Sequence, residues 1–398
     1  MRFRQVSLAL CCVGALAITA CGSDSDSTTG STGSTDSTAS TTAGAATASA
    51  GLAEAKKTLA AASAPKDFEL PGEPFDASKA KGKTVYYVMN QLTTPFNQNV
   101  EKGVKEAFDA VGAKVIFLDG QGTVSAQAKG IESGVGAKAD LIVLHGIDPK
   151  LVEGQVASAK KAGIPVAAFL SWSPGMRPDD LPEGIVAGGG HSYQQAGTWM
   201  GSWVTARADD KPSESVFITA SDAGAASAQV EDGFKSEVKA TCPDCTVKTI
   251  DSRVADWSKL GNLVSTFLQS NPNVKYVVPA FDGMAIYAQA GLLSSGALDK
   301  VCIVSFNGTP AVLKLIKDGN SGVCADVGVA AARQGWGLAD QALRIMAGVP
   351  PVPNDDTKAT ERMFDTSNID SIDLSAPESS WYGDVDYQAA YKKLWGVQ

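Results

Sequence analysis

The sequence predicts an α/β protein built from doubly wound parallel sheets in two domains. From Lys83 onward, short β-branched runs alternate with amphipathic segments of helical period. The strand-like runs are apolar almost without interruption, which suits a parallel sheet covered on both faces. About 340 residues look foldable, more than one ordinary core holds, so two domains are expected.

The chain opens with Arg2 and Arg4 ahead of an apolar run over 6–20. That is the layout of a secretory signal (1–20), too short to span a bilayer comfortably. It leads into Ile18-Thr19-Ala20-Cys21, arranged like a bacterial lipobox, in which the cysteine is acylated and becomes the new N-terminus. An ordinary cleaved signal beside a fortuitous cysteine is the alternative. Residues 21–50 are dominated by Ser, Thr, Gly, Ala and Asp. Such a tract cannot bury enough apolar surface to fold, and as a flexible tether it reaches about 30 Å. The expectation is an exported chain, lipid-anchored through Cys21 on the extracytoplasmic face of a bacterial cell membrane.

The chain of 398 residues has a net charge of −9. The leader carries two arginines and no acid, so its removal takes the charge to about −11. An acidic surface without a basic cluster argues against nucleic acid as a partner. It equally argues against a basic grip on anionic lipid, which leaves the acyl group as the membrane contact. No later apolar run approaches the length of a membrane span.

After the tether, 51–82 reads as a short helix (52–62) and a proline-punctuated extended lead-in (65–81). Strands are expected at 84–89, 114–118, 141–144, 165–170, 184–187, 215–219, 246–250, 274–279, 301–305 and 322–327. Helices are expected at 97–110, 124–134, 149–162, 193–207, 227–240, 258–269, 283–293, 311–317 and 333–346. In the first of these, Val100, Val104, Ala107, Phe108 and Val111 share one face. Of seven cysteines, Cys11 and Cys12 leave with the signal and Cys21 is the lipid site. The remaining four read as two disulfides in an exported protein. Cys242-Pro243-Asp244-Cys245 can close across a turn, and Cys302 and Cys324 each begin a strand-like run. A redox motif or half a metal site is the other reading of Cys242 and Cys245; no second CxxC and no nearby His supports it.

In doubly wound sheets, ligands bind beyond the carboxyl ends of the strands. The residues there are polar and aromatic: Asn90, Phe96, Asn97, His145, Ser171, Trp172, His191, Tyr193, Ser221, Asp222, Trp257, Phe281, Asp282, Asn307 and Asp326. These fifteen are the candidate ligand-binding residues. Aromatic faces beside amides and carboxylates suit a polyhydroxylated ring. None of the fifteen is Lys or Arg, although Arg177 lies in a nearby loop. Carboxylates and phosphates normally meet a cation or a helix N-terminus, so a neutral or even cationic solute is expected.

Each candidate has a plainer reading. His145 and His191 either contact ligand, with pH sensitivity near the free imidazole pKa, or bond loop backbone. Trp172 and Trp257 either stack on ligand or pack in the core. Asp282 either contacts ligand or caps the helix that follows it. Asp222 and Asp326 stand open between contact and structural roles. Gly188-Gly189-Gly190 lacks the lysine and hydroxyl of a phosphate loop and reads as a hinge. No metal or cofactor site is expected. There is no nucleophile–base arrangement such as a GxSxG turn, so no enzymatic chemistry is expected either.

Taken in order, Thr94-Pro95-Phe96, Ala162-Gly163-Ile164-Pro165-Val166, Gly233-Phe234, Asp282-Gly283-Met284-Ala285 and Ser305-Phe306-Asn307-Gly308-Thr309-Pro310 resemble type I periplasmic solute-binding proteins of the ribose-binding branch. The resemblance covers about Lys83 to the end. It implies two lobes joined by a three-crossover hinge, with a cleft that closes on ligand. Lobe 1 would be 83–190 plus 329–364, and lobe 2 would be 191–328 plus 365–398. Phe96 matches a family aromatic that packs on sugar, and Trp257 falls where a second stacking aromatic is expected. Asn307 replaces an aspartate, and Phe281 sits where asparagine is usual. Leu170-Ser171 stands in place of an Asp-Arg pair, and Val230 in place of an arginine. These departures remove the strongest polar groups of a ribose-type site. The resemblance implies the binding subunit of an ABC importer, a monomer handing a small neutral, carbohydrate-like solute to a permease and its ATPase. A sensor for a membrane receptor, or an importer subunit for an aromatic or cationic solute, would carry the same pattern.

Overall fold

The computed structural model describes residues 38–209, 211–383 and 385–397. The signal, Cys21 and the tether up to residue 37 lie outside the described residues. Among the described residues, those from 45 onward form one compact unit, separate from those before it. Helix α1 (Thr38–Ser63) begins inside the segment expected to be a tether. The tract is rich in alanine, the best helix former, and propensity overrides its polar look. Proline at 65 stops the helix.

The first sheet holds β1 (Thr84–Met89), β2 (Lys114–Asp119), β3 (Leu141–His145), β4 (Val166–Phe169) and β5 (Ile185–Gly189). Its order is β2-β1-β3-β4-β5, all parallel. The crossover helices are α2 (Pro95–Val111), α3 (Val124–Gly136) and α4 (Glu153–Lys161). Thr94 caps α2 by accepting from the Asn97 N–H, and Pro95 occupies the first turn, where no backbone donor is missed. Strand alternation feeds two cores. Val85, Tyr87 and Met89 join Val100, Val104 and Phe108 of α2 on one face. Val88, Ile142 and Leu144 join Ile131 and Val156 on the other.

The second sheet repeats that order. It contains β6 (Glu214–Thr219), β7 (Thr246–Asp251), β8 (Val274–Pro279), β9 (Cys302–Asn307), β10 (Val323–Val329) and β11 (Glu361–Asp365). Its order is β7-β6-β8-β9-β10-β11, with β11 antiparallel at the edge. The helices are α5 (Tyr193–Ala208), α6 (Ala225–Thr241), α7 (Leu260–Ser270), α8 (Asp282–Ser295) and α9 (Pro310–Asp318). α10 (Ala331–Ala347) returns to the first lobe, and α11 (Tyr387–Leu394) ends the ordered elements. The bonds Cys242–Cys245 and Cys302–Cys324 close with Cα separations of 5.3 and 5.5 Å.

The chain crosses between lobes after β5, after β10 and before β11. Two of the crossings touch through a bridge between Gly190 and Asp356. Two boundaries differ from those expected. β11 belongs to the second sheet, so a first-lobe segment running to 364 ends too late. The tail also does not stay with lobe 2. Trp395 stacks on Trp336 of α10 at 5.3 Å, and its indole N–H donates to Asp340 at 2.7 Å. Arg344 donates to the other oxygen of the same carboxylate at 2.7 Å. β11 is a short, charged edge strand, and edge strands carry little apolar signal. The aromatic stripe of α11 does not say which lobe it covers.

Candidate functional site

Both sheets have the strand order in which a crevice opens where neighbouring connections diverge: β1/β3 in one lobe, β6/β8 in the other. The two crevices face each other across the hinge and enclose one cavity. The space open to the centre of a water molecule is about 110 Å³. Lobe 1 contributes Asn90 and Gln91 after β1, Thr94–Asn97 at the cap and start of α2, His145 at the end of β3 with Gly146 after it, and Leu170 after β4. His191 and Tyr193 come from the crossing between lobes. Lobe 2 contributes Ala223, Ala226, Val254, Trp257, Phe281–Gly283, Ile286, Asn307 and Thr309.

The rings form a continuous wall from one lobe to the other. Phe96 meets His191 edge-on at 6.0 Å, and His191 meets Tyr193 at 4.4 Å. Tyr193 meets Phe281 at 6.3 Å, and Phe281 meets Trp257 at 6.5 Å. Trp257 is pinned by its indole N–H on the Ser252 carbonyl at 3.2 Å. Its ring lies over Gly283, where an added Cβ would stand 2.5 Å from it, so only glycine fits the start of α8 there. The Tyr193 hydroxyl donates to the Leu170 carbonyl at 2.7 Å.

The two histidines are structural in their protonation. Asn97 Nδ2 donates to the Gln91 carbonyl at 2.7 Å, which leaves its Oδ1 as the acceptor facing His145 Nε2 at 3.2 Å. His145 therefore carries its proton on Nε2 and accepts from the Tyr87 hydroxyl at Nδ1, 3.0 Å away. Burial pushes its pKa down to about 3, with His191 adding to the effect. Burial likewise takes His191 down to about 4, against a hydrogen bond with Gln334 that opposes the shift. Both rings are neutral at physiological pH, which sets aside the reading of pH sensitivity near the free imidazole value, and their ring partners are the side chains of Tyr87, Asn97 and Gln334 rather than loop backbone. His191 Nε2 is buried and has no partner among the described residues.

The structure gathers Asn90, Phe96, Asn97, His145, His191, Tyr193, Trp257, Phe281, Asp282 and Asn307 around the cavity. Five other candidates lie elsewhere. The Ser171 hydroxyl faces the Ile147 carbonyl at 3.1 Å. The Trp172 indole donates to Asp355 at 3.0 Å, and the same carboxylate accepts from the Gly188 N–H at 2.8 Å, so this tryptophan braces the hinge. Ser221 donates to Asp251. Asp222 accepts from the Val254 N–H at 3.2 Å and shapes the turn carrying Trp257. Asp326 is buried beneath the Asn307 loop. A residue near a strand end can spend its polar atoms on the protein rather than on the cavity, and the strand-end rule does not distinguish the two. Val254 and Ile286 were missed because they are apolar; Ile286 sits one helical turn beyond Asp282 on α8, where that spacing could have found it.

Among the described residues, no Lys or Arg lines the cavity. Its one acid, Asp282, has both oxygens occupied by Ser305 and Thr309. The side-chain amides of Asn90, Gln91 and Asn307 bond no other described residue. The uncommitted polar groups are thus three neutral amides and one imidazole nitrogen, set in aromatic walls. No group of three or more metal-ligating side chains occurs among the described residues, and no described helix is long and apolar enough to cross a membrane.

Comparison with known proteins agrees with this architecture. The family model described as periplasmic binding protein domain matches residues 85–349. The ribose import binding protein of Salmonella typhimurium is 24% identical over 239 residues, covering 59% of this chain and 76% of that one. The D-apiose import binding protein of Actinobacillus succinogenes is 26% identical over 251 residues, covering 63% and 76%. Both are named for binding in import, not for catalysis. A solute-binding protein of an ABC transporter from Agrobacterium vitis, solved with bound allitol, superposes with a TM-score of 0.64. It is 16% identical, over 73% of this chain and 98% of that one.

Proposed function

Since the chain belongs to the periplasmic binding protein family and has its type I fold, we propose that it is the extracytoplasmic solute-binding subunit of an ABC importer for a small, uncharged, ring-shaped solute. The observation that carries this reading is the cavity itself: facing crevices of two lobes, an aromatic wall, and free polar groups that are all neutral. The named substrates of the relatives, ribose and D-apiose, support a carbohydrate-like solute. The hinge would close over the bound ring and shift an open–closed equilibrium toward the form a permease accepts. Ligand binding needs to favour the closed form only by its differential affinity for the two states. We read the protein as a monomer tethered through acylated Cys21, with permease and ATPase subunits as partners.

A second reading concerns the solute. Leu170, Val254 and Ile286 line the cavity where a richly hydroxylated sugar would leave polar groups unpaired. Each such group costs about 1–3 kcal/mol, so a deoxy sugar or an aromatic solute with few hydroxyls competes with a full polyol. The test is a thermal-shift screen of ribose, D-apiose, D-allose, allitol, deoxy sugars, neutral aromatic compounds and sugar phosphates, followed by calorimetry on hits. A neutral ring should raise the melting temperature by several degrees at about 1,000 Kd. Stabilisation by sugar phosphates or carboxylates alone would overturn the reading of an uncharged solute.

A further inference from the structure

Two carboxylates lie buried side by side under the Asn307 loop, and the hydrogens available do not suffice for both to be ionised. Asp282 and Asp326 are 1% and 0% exposed. Ser305 Oγ stands 2.8 Å from Asp282 Oδ1 and 2.6 Å from Asp326 Oδ2. A hydroxyl has one proton and can donate to only one of them. With both acids charged, the other contact would be two oxygens at hydrogen-bond distance with no hydrogen between them. For two acids this deeply buried, that repulsion favours protonation of one of them.

The donors decide which one. Apart from the shared contact with Ser305, Asp282 receives the Thr309 N–H at 2.7 Å and the Thr309 hydroxyl at 2.6 Å. Apart from the contact with Ser305, Asp326 receives only the Gly308 N–H, at 2.7 Å. Leaving the shared Ser305 aside, two donors stabilise a charge better than one, so the charge sits on Asp282 and draws the Ser305 proton as well. Burial, with Asp282 next to it, holds the Asp326 carboxyl well above the usual carboxylate range, in agreement with the donor count.

The backbone above this pair is strained. Asn307 has φ 142°, a left-handed conformation that a residue with a side chain keeps only when its surroundings impose it. The next two N–H groups, of Gly308 and Thr309, are the ones bonded to Asp326 and Asp282. Gly308, at φ 74°, also has no room for a side chain: a Cβ would stand 2.6 Å from the Tyr382 hydroxyl.

We propose that Asp326 is a neutral acid donating to Ser305, which donates to Asp282, and that this hydrogen-bonded chain is a positioning device for the Asn307–Thr309 loop at the solute cavity. The link to solute capture rests on the function proposed above; the location of the proton does not.

The test begins with the ligand-free protein, carrying aspartate isotopically labelled at its side-chain carboxyl carbon. At neutral pH, one NMR resonance should sit at the position of a protonated acid. Asp326→Asn should abolish it yet keep the Gly308 amide protected from hydrogen exchange, because an amide reproduces both the acceptor and the donor. Asp326→Ala should speed Gly308 exchange by at least about tenfold. If Asp326→Ala does not fold, Asp326→Ser, which retains a small polar group but cannot span the gap, supplies the same exchange measurement. Titrated with ribose, D-apiose and D-allose, Asp326→Asn should bind within about twofold of the parent, and Asp326→Ala at least about tenfold more weakly. Absence of the protonated-acid resonance in the parent, its survival in Asp326→Asn, or unchanged Gly308 exchange in Asp326→Ala and Asp326→Ser would overturn the proposal. If none of the three sugars binds the parent, the carbohydrate reading of the cavity fails, while the resonance and exchange results still decide where the proton sits.

Discussion

Acidification should destabilise this protein through two buried histidines, and the size of the effect follows from the structure. His145 and His191 are each 1% exposed and neutral in the folded state, with pKa values pushed down to about 3 and about 4. In the unfolded chain they titrate near 6.5. Between those values the unfolded state binds more protons than the folded one, so stability is complete above pH 6.5 and falls with falling pH. Each ring contributes a loss of about 1.4 kcal/mol per pH unit in that window, about 2.7 kcal/mol per unit together. At pH 5 the combined loss is about 4 kcal/mol, a large share of the stability of an ordinary domain. The assay is urea unfolding from pH 7.5 to 5, comparing the parent with a His145→Gln, His191→Gln double variant. The variant starts less stable, but its stability should lack this slope, and the difference in slope isolates the histidines from the titrating carboxylates. Parallel slopes in the two proteins would refute the reasoning, because they would mean that the rings are protonated equally in the folded and unfolded states.

Other outcomes follow from named contacts. Trp257→Ala and Asn307→Ala should each weaken binding of the solute found by screening at least about tenfold, or about 1.4 kcal/mol, in calorimetry; unchanged affinity in both would displace the site. Asp355→Ala strands the Trp172 indole and the Gly188 N–H at the hinge, and should cost about 2–4 kcal/mol in urea unfolding. Joint replacement of Cys302 and Cys324 by serine opens a link between residues 22 apart, with an expected loss of about 3 kcal/mol measured the same way. Cys21→Ser should move the protein from the membrane fraction to the medium when cells are fractionated; retention in the membrane would exclude a lipid anchor at that residue.

The sequence by itself determined the elements that repeat a strong local pattern. Strands β1 to β10, apolar throughout their central members, and the helices α2 to α10 stand within a few residues of the positions their periodicity predicts, because each is stabilised by one buried face that the chain writes in order. Of the fifteen residues the strand-end rule picked out, ten, from Asn90 to Asn307, stand at the cavity. What only the tertiary structure decided was direction and partnership. Ser171, Trp172, Ser221 and Asp222 follow strands as many cavity residues do, and Asp326 sits within β10, yet all five spend their polar atoms on a carbonyl, the hinge, a neighbouring turn or a buried serine. β11 and α11 escaped notice because an edge strand and a short aromatic helix gain their stability from distant surfaces, β10 and Trp336, rather than from neighbours in sequence. The state of the histidines was hidden for the same reason. An imidazole becomes neutral when water is removed from around it, and which residues exclude that water is settled only when two lobes and a crossover meet.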